Sequence, residues 1–374
     1  MGATAKIKSI DAFQVAWQRE DPPGRRSAFV RVVTADGVVG YGEASPMQGG
    51  EHSLGIIRRD LAPSLIGADA YDQAVLYDRM LHKNIKLGPE GALTGALAAV
   101  DIALWDIKGK IAGLPIYKLL GGAWRTEVPF YASIGGNANR SVDEVVKTVE
   151  ARWKTETPAA IKIRWDGDRS KLDCDIPGDI AKARAVRKLV GDAYPLAFDA
   201  NNGYSVGGAM RVGRALEDLG FIWFEEPVQH YDVRGMGEVA QRLDITVSAA
   251  EQTYTVQALV DIINAGVRMV QPDIVKMGGV TGLMQCAAIC HAHGVELVPH
   301  QTQPTIGHTA NLHVLAAIMH LTKPAEFADP STRMHSAFKN APKPEGGRFK
   351  IPSGPGLGLD VLYDELTKRR ISAE

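Results

Sequence analysis

Apolar and polar positions follow two different patterns along the chain, which divide it into two regions. In the first region, the β-rich runs Ala28–Thr34 and Val38–Ala44 flank an Asp-Gly pair at positions 36–37. Such a pair between two apolar runs is a strong signal for a β-hairpin. The stretch Ala92–Ile111 is apolar nearly all round, which predicts a buried helix. Strands followed by helices indicate a small α+β domain, which we place at residues 1–125.

In the second region, from Val128 onward, apolar runs typical of buried strands alternate with helix-like segments. One such segment, Asp179–Val190, has Asp179 as its predicted N-cap and Gly191 as its stop. Eight strands that alternate with helices over about 200 residues indicate an α/β fold of the (β/α)8 barrel type, modified at one end. We place this barrel at residues 126–330. The predicted strands are Val128–Ile134, Ala159–Arg164, Pro195–Asp199, Phe221–Glu225, Ile245–Glu251, Met269–Ile274, Val295–His300 and Ala325–Ala328.

The rival architecture is a doubly wound parallel sheet. That fold places a glycine-rich phosphate loop after an early strand, and the sequence has no GxGxxG motif in that context. The pair Gly278-Gly279 is too short a signal to replace it, so the barrel is the favoured interpretation. The remaining segment, 331–374, is too short to form a domain, and we expect it to pack back onto the N-terminal domain.

Three acidic residues stand at the ends of three predicted strands at equal spacing. They are Asp199, Glu225 and Glu251, and 26 residues separate each from the next. In a parallel barrel the C-terminal ends of the strands meet at one face, where three carboxylates can bind a hard cation such as Mg²⁺. Taken singly, each acid could be a helix N-cap or a solvated loop charge. Three in register after apolar runs favour the metal site.

Further predicted strands add reactive groups. Lys162 and Arg164 alternate with apolar residues, so they point the same way, and the barrel interior near its mouth suits two cations better than the outer face does. Asp273 and His300 end neighbouring strands, where the carboxylate could orient the imidazole and raise its basicity. His300 could equally be a capping or core histidine. Glu326, in the last strand, could equally be a structural acid.

These motifs together resemble the enolase superfamily, and within it the mandelate racemase-like subgroup of the mandelate racemase/muconate lactonizing enzyme family. The segment Ala98–Gly122 is similar to the family's junction between capping domain and barrel, and FDANNGY, FEEPV, AAEQ, QPDIVKMGGVTG and VPH follow in the family's order. The resemblance covers nearly the whole chain. It implies a modified TIM barrel of the (β/α)7β type, closed by an α+β capping domain that both chain ends form.

The resemblance implies a chemistry as well as a fold. Abstraction of the proton alpha to a carboxylate gives an enediolate, which Mg²⁺ and cationic residues stabilise. In this chain the implied Mg²⁺ ligands are Asp199, Glu225 and Glu251. The implied general base is His300, with Asp273 as its partner. The substrate would be a small carboxylic acid.

Four more residues take implied roles around the substrate. Lys162 and Asn201 would lie at its carboxylate, and Glu326 would be an acid that hydrogen-bonds the enolate on the side away from the metal. Arg164 departs from the racemase pattern, in which the second residue of a Lys-x-Lys pair is a base on the opposite side of the substrate. A guanidinium stays protonated in proteins and is a poor base. Arg164 would therefore serve as an electrostatic clamp.

A single clear base favours dehydration over racemisation. A dehydratase needs one abstraction, after which the same imidazolium can protonate the leaving hydroxide. The leading hypothesis is therefore an Mg²⁺-dependent lyase that dehydrates an acid sugar or a related α-hydroxy acid. The alternative is an isomerase with the same intermediate, either a racemase or epimerase or a lactone cycloisomerase. A non-catalytic metal-binding barrel is the third hypothesis.

Composition and charge narrow the choice of partners. A net charge of −1 in 374 residues offers no argument for nucleic acid or an anionic membrane. No apolar run approaches the roughly 20 residues needed to span a bilayer. The N-terminal sequence lacks a hydrophobic signal core, so we expect a cytoplasmic protein. We also expect a homo-oligomer. Three cysteines form no disulfide framework, and we expect Cys286 and Cys290 to be core thiols.

In the family, two loops of the capping domain set substrate specificity, and here they would lie near Asp21–Ser27 and Pro46–Leu54. Arg25 and His52 in these loops are candidate substrate contacts. Each could equally be a solvated loop charge. The identity of the carboxylic acid does not follow from the sequence.

Overall fold

The structure is a computed structural model that describes residues 5–17, 25–46, 50–328 and 335–371. Within these ranges the chain forms an N-terminal α+β capping domain and a barrel-type α/β domain. The strands are β1 (Ile7–Ala16), β2 (Arg26–Thr34), β3 (Val39–Ala44), β4 (Glu127–Ile134), β5 (Ala160–Arg164), β6 (Leu196–Asp199), β7 (Trp223–Glu225), β8 (Thr246–Ala249), β9 (Met269–Val270), β10 (Glu296–Leu297), β11 (Ala325–Phe327), β12 (Pro344–Glu345), β13 (Arg348–Lys350) and β14 (Arg370–Ile371). The α-helices are α1 (Glu51–Ile56), α2 (Ala62–Leu65), α3 (Gln73–Lys83), α4 (Thr94–Ala112), α5 (Ile116–Leu119), α6 (Val142–Glu156), α7 (Ile176–Val190), α8 (Val206–Asp218), α9 (Val233–Arg242), α10 (Val256–Ala265), α11 (Gly279–His293), α12 (Ile306–Ala317) and α13 (Tyr363–Thr367).

A four-stranded antiparallel sheet forms the centre of the capping domain. Its strands follow the order β14-β1-β2-β3, so β14, near the C-terminus, pairs with the first strand of the chain. The predicted hairpin joins β2 to β3. Val33 pairs with Val39, and the N–H of Thr34 donates to the carbonyl oxygen of Val38 at 2.9 Å. Segments from both ends of the chain therefore contribute to one sheet.

Helix α4 packs very closely against this sheet. It is buried over most of its length, as its apolar sequence predicts. Two glycines of β3 allow the approach: a Cβ at Gly42 would lie 1.8 Å from the carbonyl oxygen of Ala99, and one at Gly40 would lie 2.2 Å from that of Ala103. The glycines of the VGYGEA strand thus set the distance between sheet and helix.

Eight parallel strands carry the second domain. They are hydrogen-bonded in the order β10-β9-β8-β7-β6-β5-β4, and β11 pairs with β4 on its other side. The strands β10 and β11 thus stand at the two ends of the ladder. The N–H of Gln301, which follows β10, donates to Oε2 of Glu326 in β11 at 2.9 Å, so the two ends meet. This is the modified barrel that the alternation of strands and helices predicts.

Some strands are shorter at their C-terminal ends than the sequence pattern predicts. β8 ends at Ala249 and β10 ends at Leu297, so Glu251 and His300 lie in the loops that follow rather than in the strands. The same holds for Asp273, because β9 consists of only two residues. The backbone leaves the ladder at Ala250, whose φ of 93° is incompatible with a strand.

Helix α7 begins earlier than the sequence analysis expects, and Asp179 is not its N-cap. The cap is Asp175, whose side chain accepts a hydrogen bond from the N–H of Gly178 at 3.0 Å. Asp179 is buried in the first turn instead, where its carboxylate accepts from the hydroxyl of Tyr204 at 2.8 Å. Pro177 in the first turn favours the earlier start because proline is preorganised for that position.

Buried polar contacts attach the capping domain to the barrel. Oδ1 of Asp101 in α4 accepts a hydrogen bond from the hydroxyl of Thr281 in α11 at 2.6 Å. Oε2 of Glu43 in β3 accepts from the N–H of Gly307 in the first turn of α12 at 2.9 Å, which places a carboxyl group at a helix N-terminus. Both carboxylates are buried, so these contacts are shielded from water.

Cys286 and Cys290 are buried on α11, which confirms the prediction of two core thiols, and Cys174 is exposed. Across the described ranges, no helix has both the length and the apolar character that crossing a lipid bilayer requires.

Candidate metal and proton-transfer site

Three carboxylates converge at the C-terminal face of the barrel. Asp199 ends β6, Glu225 ends β7 and Glu251 follows β8. All three are buried, and one ligand atom from each lies within 4.8 Å of the others. They meet because β6, β7 and β8 are hydrogen-bonded side by side. The 26-residue spacing thus corresponds to one strand and one helix per acid.

The backbone beside these acids is strained. Asn201, Asn202, Glu226 and Ala250 have φ values of 51°, 68°, 38° and 93°. Non-glycine residues rarely adopt this left-handed region, and each such residue costs on the order of 1–3 kcal/mol. Hydrogen bonds hold one of these turns: the amide of Gln252 donates to Oε2 of Glu226 at 3.0 Å, and the amide of Asn202 donates to the same oxygen. These strained residues therefore lie beside the three carboxylates of the triad along the chain.

The electrostatics of the triad favour a bound cation. Burial and the neighbouring charges of Glu225 and Glu251 raise the pKa of Asp199 well above its usual range. Within the described part of the chain, Oδ2 of Asp199 has no hydrogen-bond partner and lies 3.5 Å from Nζ of Lys162. Three hard oxygen donors of this kind suit Mg²⁺, which takes carboxylates, water and substrate oxygens as ligands. The residues present thus fit the predicted metal.

Lys162 is fully buried between the triad and Glu326. Its Nζ lies 2.7 and 2.8 Å from the two carboxylate oxygens of Glu225, and 3.0 Å from Oε1 of Glu326. Burial lowers the pKa of this ammonium, but the surrounding carboxylates outweigh burial and raise it above its usual range. Lys162 thus links the metal site to the last strand. Its predicted contact with the substrate carboxylate stays a prediction.

Glu326 is an ionised acid in this arrangement. It accepts a hydrogen bond from the N–H of Gln301 at 2.9 Å. Burial raises its pKa, but Lys162, His300 and Arg164 lower it to about 2. The side chain therefore accepts hydrogen bonds here, and its predicted role as a donor to an enolate stays a prediction.

His300 and Asp273 form a hydrogen-bonded pair. Nδ1 of His300 lies 2.7 Å from Oδ2 of Asp273, and Nε2 lies 3.3 Å from Oε2 of Glu251. Burial lowers the pKa of His300, but the carboxylates of Glu251, Glu326 and Asp273 outweigh burial and raise it to about 9. A divalent cation bound to nearby carboxylates acts in the opposite direction, because its charge offsets theirs. Because Nδ1 is bonded to Asp273, Nε2 is the ring atom that faces the triad and is placed to exchange a proton there.

The guanidinium of Arg164 is fixed by Asp166, which the sequence analysis did not single out. Nε and Nη2 of Arg164 each lie 2.9 Å from a carboxylate oxygen of Asp166, which also accepts the N–H of Gly136 at 2.9 Å. Burial lowers the pKa of Arg164, but the neighbouring carboxylate of Asp166 outweighs burial and raises this pKa above its usual range. β5 and β9 are four strands apart along the eight-stranded ladder, so Arg164 lies across the barrel from Asp273.

A cavity of about 230 Å³ opens above these groups. This volume is below the roughly 300–1,000 Å³ that drug-sized ligands occupy, and it suits a small polar acid. The capping domain and the barrel both contribute to its walls. The lining residues are Pro46, Arg164, Asp166, Arg169, Asn201, Glu251, Gln252, Tyr254, Asp273, Lys276, His300 and Thr302.

Two cationic side chains that line this cavity, Lys276 and Arg169, were not predicted from the sequence. Lys276 is buried, and its Nζ donates to the carbonyl oxygen of Glu251 at 2.9 Å. Arg169 donates through Nε to the carbonyl oxygen of Asn201 at 3.0 Å. A lysine inside the otherwise uncharged stretch after Asp273, IVKMGG, was an available signal for Lys276. Arg169 lies in a polar loop where one charge does not stand out from the others.

The predicted substrate contacts are only partly brought together. Asn201 lines the cavity, and its N–H donates to Oδ1 of Asp199 at 2.8 Å. The guanidinium of Arg25 lies over the ring of Trp17, 5.0 Å from its centroid, and His52 lines a separate surface groove. Neither lines the cavity above the triad. Residues 18–24 and 47–49 of the two capping loops lie outside the described residues, so the role of these loops stays a prediction.

Both regions of the chain match models of known families. Residues 18–121 match the mandelate racemase/muconate lactonizing enzyme N-terminal domain, and residues 144–365 match the enolase C-terminal domain-like family. The chain belongs to the mandelate racemase/muconate lactonizing enzyme family of the enolase superfamily. The family resemblance of the sequence motifs is thereby confirmed. The first matched region lies within the capping domain, and the second contains most of the barrel and continues into the segment that follows it.

Solved and curated members of the family resemble the chain over nearly its whole length. A mandelate racemase/muconate lactonizing protein from Paracoccus denitrificans, solved in complex with magnesium, shares 64% identity at a TM-score of 0.95, with 98% of this chain and 99% of that one covered. Arabinonate dehydratase from Saccharolobus solfataricus is 31% identical, with coverage of 88% and 87%. D-galactarolactone cycloisomerase from Agrobacterium fabrum is 32% identical, with coverage of 93% and 92%. Overall likeness therefore supports an enzyme of this family without separating lyases from isomerases.

Proposed function

We propose that this member of the family is a lyase that dehydrates an acid sugar or a related α-hydroxy acid, with Mg²⁺ as its cofactor. The cofactor assignment rests on the buried triad Asp199, Glu225 and Glu251 and on the magnesium complex of the Paracoccus denitrificans relative. The substrate class rests on the small polar cavity and on relatives named for dehydration of arabinonate and of L-talarate or galactarate.

The observation that carries the proposal is the asymmetry of the cavity. One wall holds a base with its orienting partner, His300 and Asp273. The opposite wall holds Arg164, which is already paired with Asp166 and has its pKa raised further above its usual range. A racemase that moves a proton between two faces of a carbon needs a base on each face. The guanidinium does not supply one, so a one-base reaction fits the cavity better.

The proton transfers follow from the orientation of the imidazole. Nε2 of His300 takes the proton from C2 of the substrate, and the electron pair of that bond moves into the carboxyl group to give an enediolate. Asp273 holds the Nδ1–H and stabilises the imidazolium. The enediolate electrons then form the C2–C3 double bond as the C3–O bond breaks, and the imidazolium returns its proton to the leaving hydroxyl. Water and an enol leave this step, and the enol tautomerises to a 2-keto-3-deoxy acid.

The surrounding charges stabilise the negative charge that develops at the carboxyl group. When bound by Asp199, Glu225 and Glu251, Mg²⁺ supplies positive charge next to the substrate oxygens. Lys162 adds a buried cation beside Glu225 of the triad, and Arg164 adds a fixed cation in the cavity wall. Because these groups are in place before the reaction, little reorganisation is needed as the charge forms.

The test is a screen of acid sugars with MgCl₂ that measures keto-acid formation, followed by NMR of each turned-over acid in D₂O. We expect a keto acid from one configuration at C2, and His300→Asn as control to abolish both its formation and the loss of the α-proton. Deuterium entering both C2 epimers equally, without keto acid, would overturn the dehydratase proposal and restore a two-base racemase. Mg²⁺ binding with no α-proton exchange across the library would instead favour a non-catalytic barrel.

Lactone cycloisomerisation is the second candidate function, because the relative named D-galactarolactone cycloisomerase is as similar to the chain as the dehydratases are. It can use the same His300-mediated abstraction. The two reactions differ in mass balance, since a cycloisomerase loses no water. Mass spectrometry of the products from acids and from their lactones therefore decides between them.

A further inference from the structure

Lys276 lies between the carboxylate triad and the pair formed by His300 and Asp273. It lies in the loop between β9 and α11, and its side chain is only 7% exposed. Its ammonium forms no ion pair with a carboxylate of the described residues, and it donates to the backbone carbonyl oxygen of Glu251 at 2.9 Å. A buried ammonium at this position binds the main chain that presents a metal ligand.

The backbone of Lys276 is hydrogen-bonded to Asp273, the residue that orients the base His300. Its backbone N–H donates to the carbonyl oxygen of Asp273 at 3.0 Å, and the N–H of Met277 donates to the same oxygen at 2.8 Å. The N–H of Val275 donates to Oδ1 of Asp273 at 2.9 Å. Asp273 and Lys276 are therefore parts of one hydrogen-bonded turn. The backbone from which the side chain of Lys276 extends is therefore fixed relative to Asp273.

The turn that Lys276 contacts is one that needs support. Ala250, directly before Glu251, has a φ of 93°, which an alanine adopts only at a cost on the order of 1–3 kcal/mol. The N–H of Thr253 donates to the carbonyl oxygen of Ala250 at 3.2 Å. The bond from Lys276 to the next carbonyl constrains the peptide on the other side of Glu251.

We propose that Lys276 is a positioning residue: it holds the backbone of Glu251 in the conformation that aims the carboxylate at the metal. This inference rests on the Mg²⁺ site of the proposed function but not on which reaction follows. Partners that orient metal ligands typically contribute 10–100-fold to metal affinity. Because it connects the turn of Asp273 to that of Glu251, the same side chain also fixes the partner of the base relative to the metal ligand.

The sign of the effect separates positioning from simple electrostatics. The ammonium is a positive charge close to a site for a divalent cation, so its removal by itself would strengthen Mg²⁺ binding. Loss of its hydrogen bond to Glu251 would weaken Mg²⁺ binding, because the ligand would sample unproductive conformations. The two roles of Lys276 therefore predict opposite changes in one measurable quantity.

The experiment is calorimetric titration of the metal-free full chain with MgCl₂ alone, without any substrate. We expect Lys276→Met to raise the Kd for Mg²⁺ about tenfold, and Lys276→Arg, which keeps the charge and can still donate to a carbonyl, to stay within about threefold of wild type. Lys182→Met, at a buried lysine that pairs with Asp179 outside the site, is the matched control and should leave the Kd unchanged. A Kd for Lys276→Met that is equal to or lower than wild type would overturn the proposal.

Two further measurements keep the outcomes distinct. Circular dichroism of each metal-free variant reports whether it folds, and Lys276→Gln replaces Lys276→Met if the latter does not, with the same expected direction. Asp199→Asn tests the metal site itself. If Asp199→Asn binds Mg²⁺ as tightly as wild type, the metal assignment fails; if only Lys276→Met does so, the positioning role fails and the assignment stands.

Discussion

Nδ1 of His300 lies 2.7 Å from Oδ2 of Asp273, while Nε2, on the far side of the same ring, faces Oε2 of Glu251 at 3.3 Å. One ring nitrogen is thus committed to an orienting carboxylate and the other is directed at the metal triad. This geometry defines both the tautomer and the reactive atom of the imidazole. It joins the proton-transfer group to the metal site through a single side chain.

Substitution of the orienting acid should impair proton transfer without loss of the fold. Asp273→Asn removes the charge that stabilises the imidazolium and changes the tautomer, so we expect α-proton exchange to fall by at least about 100-fold. His300→Asn should abolish exchange. NMR in D₂O with a turned-over acid measures both rates, and circular dichroism is the control. Wild-type exchange in the His300 variant would show that another group is the base.

Removal of one triad carboxylate should remove the stabilisation that the metal provides. At Mg²⁺ concentrations of about 100 times Kd, ligand binding raises the free energy of unfolding of wild type by about 2.7 kcal/mol. Asp199→Asn should lose most of this gain, whereas Asp192→Asn, at an exposed site, should keep it. Denaturant unfolding with EDTA or MgCl₂ makes the comparison. An equal Mg²⁺ effect in Asp199→Asn would contradict the assignment.

A lysine in place of Arg164 should open the second face of the substrate to slow exchange. The amine can lose its proton, whereas the guanidinium cannot. We expect Arg164→Lys to exchange the α-proton of the C2 epimer that wild type leaves unchanged, at a rate well below that of the His300 face. Arg164→Met is the control without a base. Equal exchange in both variants would mean that the new amine is not responsible.

Glu43 should make the protein less stable as the pH rises from about 4.5 to 7. Burial, together with the charge of Asp273, raises the pKa of Glu43 from 4.5 to about 7, although the bonds from Gly307 and Ser27 oppose this. The folded state then binds more protons than the unfolded state in this window, so stability falls with rising pH, by up to about 3 kcal/mol for this group. Glu43→Gln should remove that part of the slope.

The comparison is made on the metal-free proteins, with the free energy of unfolding of wild type and Glu43→Gln measured by denaturant titration at several pH values. Other buried acids, such as Asp101, contribute equally to both proteins and cancel in the difference. A difference that is the same at pH 4.5 and pH 7.5 would contradict the assignment of the slope to Glu43.

Two glycine substitutions should have opposite effects on stability. Gly42→Ala would place a methyl group 1.8 Å from the carbonyl oxygen of Ala99, so we expect a loss of at least about 2 kcal/mol as α4 is pushed from the sheet. Gly207→Ala, at an exposed position in the first turn of α8 where a Cβ would meet only Oγ of Ser205 at 3.9 Å, should stabilise the protein by about 0.5–1 kcal/mol. Thermal unfolding of both variants tests the pair. A stable Gly42→Ala variant would show that the helix can move without cost.

Much of the site could be predicted because its residues sit at fixed intervals in a repeating pattern. Each β/α unit of the barrel takes a similar length of chain, so equal spacing of Asp199, Glu225 and Glu251 reports on neighbouring strand ends. The pair Asp273 and His300 was predicted for the same reason. Asp166 and Arg169 follow no such interval, and their contacts with Arg164 and Asn201 depend on how one loop folds over the strand ends.

The exact ends of helices and strands depend on tertiary contacts, because the local sequence often allows two positions for the same boundary. Asp175 and Asp179 can each cap a helix, and only the burial of Asp179 against Tyr204 shows that Asp175 is the cap. The same holds for strand lengths, since the positive φ of Ala250 ends the ladder before Glu251. Local sequence signals do not include these tertiary contacts, so boundaries predicted from them shift by a few residues.

The sequence by itself determined the fold class, the family and the set of acids, because hydrophobic periodicity and motif spacing are properties of the chain. Only the tertiary structure decided what each charge contacts. Lys162 is enclosed by Glu225 and Glu326, and Lys276 reaches across a strand boundary to the carbonyl of Glu251. Such contacts join residues up to about 160 positions apart, from Lys162 to Glu326. Their energies depend on burial and distance, which are set only when the whole chain has folded.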